Sequence, residues 1–137
     1  MVYLINNMNR ILKFRIWNLN NKQWNVLNAG HYQLFPDGKI LNLSMTGLVF
    51  QQFTGLKDKN EKEIYEGDIL KIKVSGSLLI FDLGTYIASV EWGNCKWKLN
   101  ILTEKNKHEN FNPDFYEDSG REYEIIGNIF ENPELLK

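Results

Sequence analysis

From Asp68 to Ile101 the side chains fall into a period of two, and that pattern sets what the chain can fold into. Leu70, Ile72 and Val74 point one way and Lys71 and Lys73 the other, as on a half-buried strand. Tyr86, Ala88, Val90 and Trp92 make one face of the next strand. Cys95, Trp97, Leu99 and Ile101 then alternate with Lys96, Lys98 and Asn100 on a return strand. Gly93-Asn94 between them reads as a two-residue hairpin loop, which places Cys95 and the tryptophans on the apolar face. A helix would spread these residues around its axis and leave no apolar face. Ser75-Gly76-Ser77 reads as a flexible turn. Leu78 to Leu83 is apolar but too short to define a helix, and Gly84 breaks it.

The rest of the chain continues in short strands and turns. Leu12, Phe14 and Ile16 alternate with Lys13 and Arg15. Asn18 to Lys22 is an asparagine-rich turn, and Trp24 to Leu27 returns as a hairpin partner. His31 to Phe35 and Ile40 to Leu43 flank Pro36-Asp37-Gly38, where Pro presets φ and Gly supplies a positive one. Leu48 to Phe53 ends at Thr54-Gly55, where the glycine is expected to let the chain reverse. Lys57 to Lys62 is a charged turn, and Glu63 to Ile69 leads back into a strand, with Gly67 at a position a side chain would crowd. Thr103 to Glu122 is polar and without a period; it reads as a variable insertion pinned by Phe111, Phe115 and Tyr116. Tyr123 to Ile126 is a strand, Gly127 a bulge or bend, and Asn132-Pro133 an N-cap with first-turn proline opening one helical turn.

Strands at this spacing predict an all-β fold. Residues 63–130 have the pattern of a small SH3-like barrel carrying a 103–122 loop. Residues 11–53 are expected to pack on it as an N-terminal β layer, with the C-terminal strand and one short helical turn closing the structure. Residues 1–10 read as a flexible arm, leaving 11–137 as a single domain.

Of the 137 residues 43% are apolar, enough for a packed core without metals or disulfides. The formal net charge is −1, which argues against a globally basic nucleic-acid binder. One cysteine allows no intrachain disulfide, and this fits a reducing cytoplasm. No apolar run reaches the length of a membrane span. The expectation is a cytoplasmic protein with no membrane partner.

The candidate chemistry is sparse. Asp58-x-Asn60 begins like a calcium loop, but Lys62 stands where an oxygen ligand belongs and Glu63 where glycine is needed. His31 and His108 are far apart, with no Cys, Asp or Glu at metal-ligand spacing. Cys95 sits on an apolar face, away from the electropositive setting a thiolate nucleophile needs. Glu63, Glu66 and Asp68 cluster, yet such carboxylates more often cap turns. No glycine loop able to cradle phosphate is present. The reading is a protein without catalytic residues, metal or cofactor.

Gln52-Phe53-Thr54-Gly55-Leu56-Lys57-Asp58-Lys59-Asn60-Glu61-Lys62-Glu63-Ile64-Tyr65-Glu66-Gly67-Asp68-Ile69 closely resembles the characteristic run of the YopX family of bacteriophage and prophage proteins. Tyr123 to Leu135 resembles that family's ending, and Lys13-Phe14-Arg15-Ile16-Trp17 its opening, so the likeness spans about residues 10–137. Glu61 departs from it, standing where the family often has glycine. The resemblance implies a phage setting and a β-rich fold, and no reaction. The leading expectation is a non-enzymatic module binding an unidentified phage or host protein, with self-association as a further arrangement. Its candidate contact residues are Thr54, Gly55, Lys57, Asp58, Tyr65, Glu66, Gly67 and Asp68. The alternative is a nucleic-acid-binding regulator of phage replication or transcription, with Lys71, Lys73, Lys96 and Lys98 meeting phosphates.

Overall fold

A computed structural model describes residues 13–25, 32–34, 40–42, 47–75, 82–102, 114–115 and 120–137. The expectations for the 1–10 arm, His31, Leu78, Phe111, His108 and Tyr116 lie outside the described residues, as does most of the 103–122 loop.

Among the described residues ten strands follow one another: β1 (Phe14–Asn18), β2 (Gln23–Asn25), β3 (Tyr32–Leu34), β4 (Ile40–Asn42), β5 (Leu48–Lys57), β6 (Glu63–Tyr65), β7 (Asp68–Ser75), β8 (Asp82–Gly93), β9 (Lys96–Ile101) and β10 (Arg121–Asn128). A 3-10 turn, Pro133–Leu136, follows them. The all-β expectation holds. The described strands form one four-stranded sheet in the order β2-β1-β5-β6, a second in the order β10-β7-β8-β9, and the β3-β4 hairpin. Every pairing is antiparallel.

The period of two becomes the core. In the second sheet Leu70 faces Ala88 and Ile125, and Ile72 faces Tyr86 and Tyr123, while Lys71 and Lys73 emerge on the opposite side. The inner face packs Leu70, Ile72, Tyr86, Ala88, Val90, Leu99 and Tyr123 with Phe115 and with Ile64 of the first sheet. Phe115 is pinned as expected, edge-on to Tyr123 with ring centroids 5.1 Å apart. Ile64 belongs to a strand that pairs with β5, so the first sheet lends a side chain to the core of the second.

Local details differ from the sequence reading at four places. Gly55 does not reverse the chain: it sits inside β5 at φ +94, within an irregularity between Phe53 and Lys57. The Thr54 hydroxyl steadies that kink, donating to the Ile64 carbonyl at 2.8 Å and accepting from the Leu56 amide at 3.2 Å. The β8–β9 loop is Asn94-Cys95, one residue later than expected; Gly93 pairs with Lys96, and both loop residues have positive φ, +53 and +59. That is the type I′ geometry whose twist suits a two-residue hairpin. The shift takes Cys95 off the apolar face and exposes it at the tip. It also carries Trp92 to the end of the core, where it is 47% exposed and edge-on to Trp97 at 4.9 Å. Finally, β10 begins at Arg121, inside the stretch read as loop, and Asn132 makes no side-chain capping bond to the turn it precedes.

Candidate functional site

The charged turn after β5 is built around Asp58. Its carboxylate accepts the amides of Asn60 (2.8 Å) and Lys62 (2.9 Å), so one short side chain closes the whole turn. It also accepts the Ile125 amide at 3.2 Å, while the Lys59 amide donates to the Tyr123 carbonyl at 2.8 Å. Those two groups lie on the outer edge of β10. The turn therefore covers an edge strand, which otherwise presents unpaired groups to other chains. Lys59 reinforces the contact through ion pairs to Glu124 (2.8 Å) and Glu122 (3.6 Å).

Burial raises the Asp58 carboxyl, but the amides of Lys62, Ile125 and Asn60 outweigh it and hold it below the ordinary 3.8. A depressed carboxyl contributes stability above its unfolded pKa, and that contribution is lost as pH falls through the folded value. Glu66 has the opposite sign: burial, and then Glu91, raise its carboxyl, so ionisation of Glu66 costs stability that acidification returns. Removing the Asp58 charge with Asp58→Asn should therefore flatten the acid limb of the unfolding curve below about pH 4, while costing about 1–2 kcal/mol at pH 7. A midpoint series in denaturant from pH 3 to 7 checks both.

The second cluster lies where the two sheets meet. Arg15 on β1, Gln51 on β5, Asp68 at the start of β7 and Asn128 at the end of β10 converge there. Gln51 and Asp68 are each 1% exposed and Asn128 is 2% exposed. Arg15 ion-pairs with Asp68 and donates through Nε to Gln51 Oε1 at 2.9 Å. Asn128 Nδ2 donates to Gln51 Oε1 and to Asp68 Oδ1, both at 3.1 Å. The other Asp68 oxygen accepts the Tyr65 amide at 2.9 Å. Burial pushes the Asp68 carboxyl up, against the pull of Arg15 and these donors. The Arg15 guanidinium lies between two rings, 4.3 Å from the Trp24 centroid and 4.6 Å from that of Tyr65, so its faces are covered as well as its edge.

Gly67 is the backbone hub of this cluster. Its amide donates to the Val90 carbonyl at 2.8 Å, and its carbonyl accepts from the Ile129 amide at 2.9 Å. Its φ is +77, and a Cβ there would overlap Gln51 Nε2 and come within 3.2 Å of Ile129 Cδ1. The crowding expected at Gly67 is present, and Gln51 and Ile129 cause it. Further out, Lys13 pairs with Glu63 at 2.6 Å and the Tyr65 hydroxyl donates to the same carboxylate at 2.9 Å.

The sequence pattern described as "YopX protein" matches residues 6–137. The chain belongs to the YopX family. The match begins a few residues earlier than the quoted motifs indicate. Among solved structures the chain is similar to the crystal structure of protein EF1440 from Enterococcus faecalis, at 27% identity and a TM-score of 0.52, covering 93% of this chain and 99% of that one. A comparison with curated proteins finds no match.

The YopX run at Gln52–Ile69 can now be placed residue by residue. Asp58, Tyr65, Gly67 and Asp68 are buried and hold the turn and the sheet junction together; Thr54 and Glu66 are half-buried; Gly55 and Lys57 are exposed. The backbone at Glu61 suits the glycine that the family often has there. Glu61 is held at φ +62, the left-handed region where a Cβ is strained. Glu61→Gly should stabilise the chain by about 0.5–1 kcal/mol despite losing the exposed Lys57–Glu61 pair, measured as a shift in the denaturant midpoint.

The four lysines of the alternative do share the outer face of the second sheet. They do not make a basic patch: Lys71 faces Glu124, Lys73 faces Glu122 and Lys98 faces Glu91 across the ladders, and Lys96 pairs with Asp114 at 2.6 Å. Sequence reasoning singled out Asp68 and Gly67 but missed Arg15, Gln51 and Asn128 as their partners. Gln51 and Asn128 are polar residues buried within strands, whereas Arg15 stands on the polar side of its strand's alternation and carried no signal. Among the described residues no group of three His, Cys, Asp or Glu side chains could hold a metal ion, and no helix is long and apolar enough to cross a membrane.

Proposed function

We propose that this YopX-family chain is a phage or prophage accessory protein of the host cytoplasm. It acts by binding a phage or host protein through an SH3-like half-barrel, and it catalyses no reaction. One observation carries this reading. Of the carboxylates that could have worked as acids, bases or ligands, Asp58 and Asp68 are committed to backbone amides and to Arg15, and Glu63 to Lys13 and the Tyr65 hydroxyl. Among the described residues the large apolar side chains presented outward are Leu19, Trp92 and Leu136, and Trp92 stands edge-on to Trp97 at the hairpin tip. Exposed, pre-positioned tryptophans are the residues on which protein interfaces concentrate binding energy. The nucleic-acid alternative draws support from the shared lysine face and is weakened by the carboxylates set between those lysines.

The test is capture by the tagged full chain from phage-infected or prophage-induced cells, with and without nuclease, beside the Trp92→Ala variant. A protein retained after nuclease and lost with Trp92→Ala supports the proposal. Capture that disappears with nuclease, and that Lys71, Lys73, Lys96 and Lys98 to Ala removes, establishes the alternative.

A further inference from the structure

The C-terminal segment leaves the second sheet in an unusual way. The register of β10 on β7 breaks between Ile125 and Gly127. A Cβ at Gly127 would come 2.7 Å from Asn132 Oδ1 and 2.9 Å from Leu135 Cδ1, so the segment folds back tightly over the bulge. Its internal bonds centre on Asn128. The Asn128 amide donates to Asn132 Oδ1 (3.2 Å), its carbonyl accepts from the Asn132 amide (2.8 Å), and its Oδ1 accepts from the Phe130 amide (3.1 Å). The Leu135 amide closes the turn on the Asn132 carbonyl at 3.0 Å. Nothing in Pro133–Leu136 is buried. Its hydrogen bonds to the body are the Ile129 amide on Gly67 and the Asn128 carboxamide between Gln51 and Asp68, and the Ile129 side chain lies beside Gly67.

We propose that residues 129–136 form a strap closing the junction of the two sheets, with Asn128 as its latch, and that the strap opens as a unit while both sheets stay folded. Segments with few buried apolar contacts open at lower free energy than the core. The internal bonds make the opening collective, because freeing the Asn128 side chain also releases Phe130, and freeing Asn132 releases Leu135. Opening uncovers the carboxylate of Asp68 and the carboxamide of Gln51 beside the ring-flanked Arg15. The junction then becomes a cleft with a cation, an anion and an amide, suited to an extended peptide backbone bearing polar side chains.

Native-state hydrogen exchange on the full chain tests this. The amides of Ile129, Phe130, Asn132 and Leu135 should share one opening rate and exchange faster than those of Ile72 and Tyr86. Asn128→Ala should speed all four strap amides together by about tenfold or more, and Ile72 and Tyr86 by no more than the same factor, so that the gap between strap and core persists. Leu135→Ala, whose side chain packs beside Gly127, should act in the same direction with a smaller effect. Strap amides that exchange only with Ile72 and Tyr86 would overturn the proposal. So would strap amides responding to Asn128→Ala one by one.

Discussion

Asp68→Ala should lower the free energy of unfolding by about 3 kcal/mol, and the melting temperature by about 10 °C. The carboxylate is buried and serves three other chain segments at once: Arg15, the Tyr65 amide and the Asn128 carboxamide all bond to it. Removing it leaves the half-buried guanidinium without its counter-charge and the Tyr65 amide and one Asn128 N–H without an acceptor, which costs far more than the loss of one surface pair. Lys13→Ala is the internal comparison. The Lys13–Glu63 pair is short but open to solvent, and its loss should cost under about 1 kcal/mol. Equal effects of the two variants would mean that the junction is wetter and looser than its bonding implies. Equilibrium denaturation at neutral pH decides between them.

Gly67→Ala is expected to cost about 2–3 kcal/mol, from two sources that can be separated. The first is the left-handed backbone, with φ +77. The second is overlap with the Gln51 carboxamide, which cannot swing aside without breaking its bonds to Arg15 and Asn128. Combining Gly67→Ala with Gln51→Ala removes the overlap and leaves the strained φ. The double variant should therefore be more stable than the two single effects added together, by about 1 kcal/mol or more. Strict additivity would show that the backbone angle alone accounts for the cost.

The strands were legible because their signal is local. Leu70, Ile72 and Val74 against Lys71 and Lys73 need only a period of two, and the observed ladders place them as that period requires. The hairpin at Asn94-Cys95 was found but misplaced by one residue, since Gly93-Asn94 and Asn94-Cys95 both offer a residue tolerant of positive φ. Moving a two-residue loop by one position shifts the register by two, so Trp97, Leu99 and Ile101 keep the expected face, while Cys95 passes from the strand into the loop and its reading failed. Gly55 misled for a related reason: a positive φ serves a kink within a strand as well as a reversal. The polar cluster was half legible. Asp68 and Gly67 stand in a motif dense with turn residues, whereas Arg15, Gln51 and Asn128 come from strands distant in sequence. Their meeting is a property of how two sheets pack, which no local pattern encodes.

The tip of the β8–β9 hairpin has a practical consequence. The chain's one thiol stands in the open there, on a tightly constrained loop and three residues from the exposed indole of Trp92. A maleimide dye would attach at a single defined place without touching the core or the strap. A binder landing on this end of the molecule would then announce itself as a change in the dye's emission, and one landing at the C-terminal strap would leave it dark to the event.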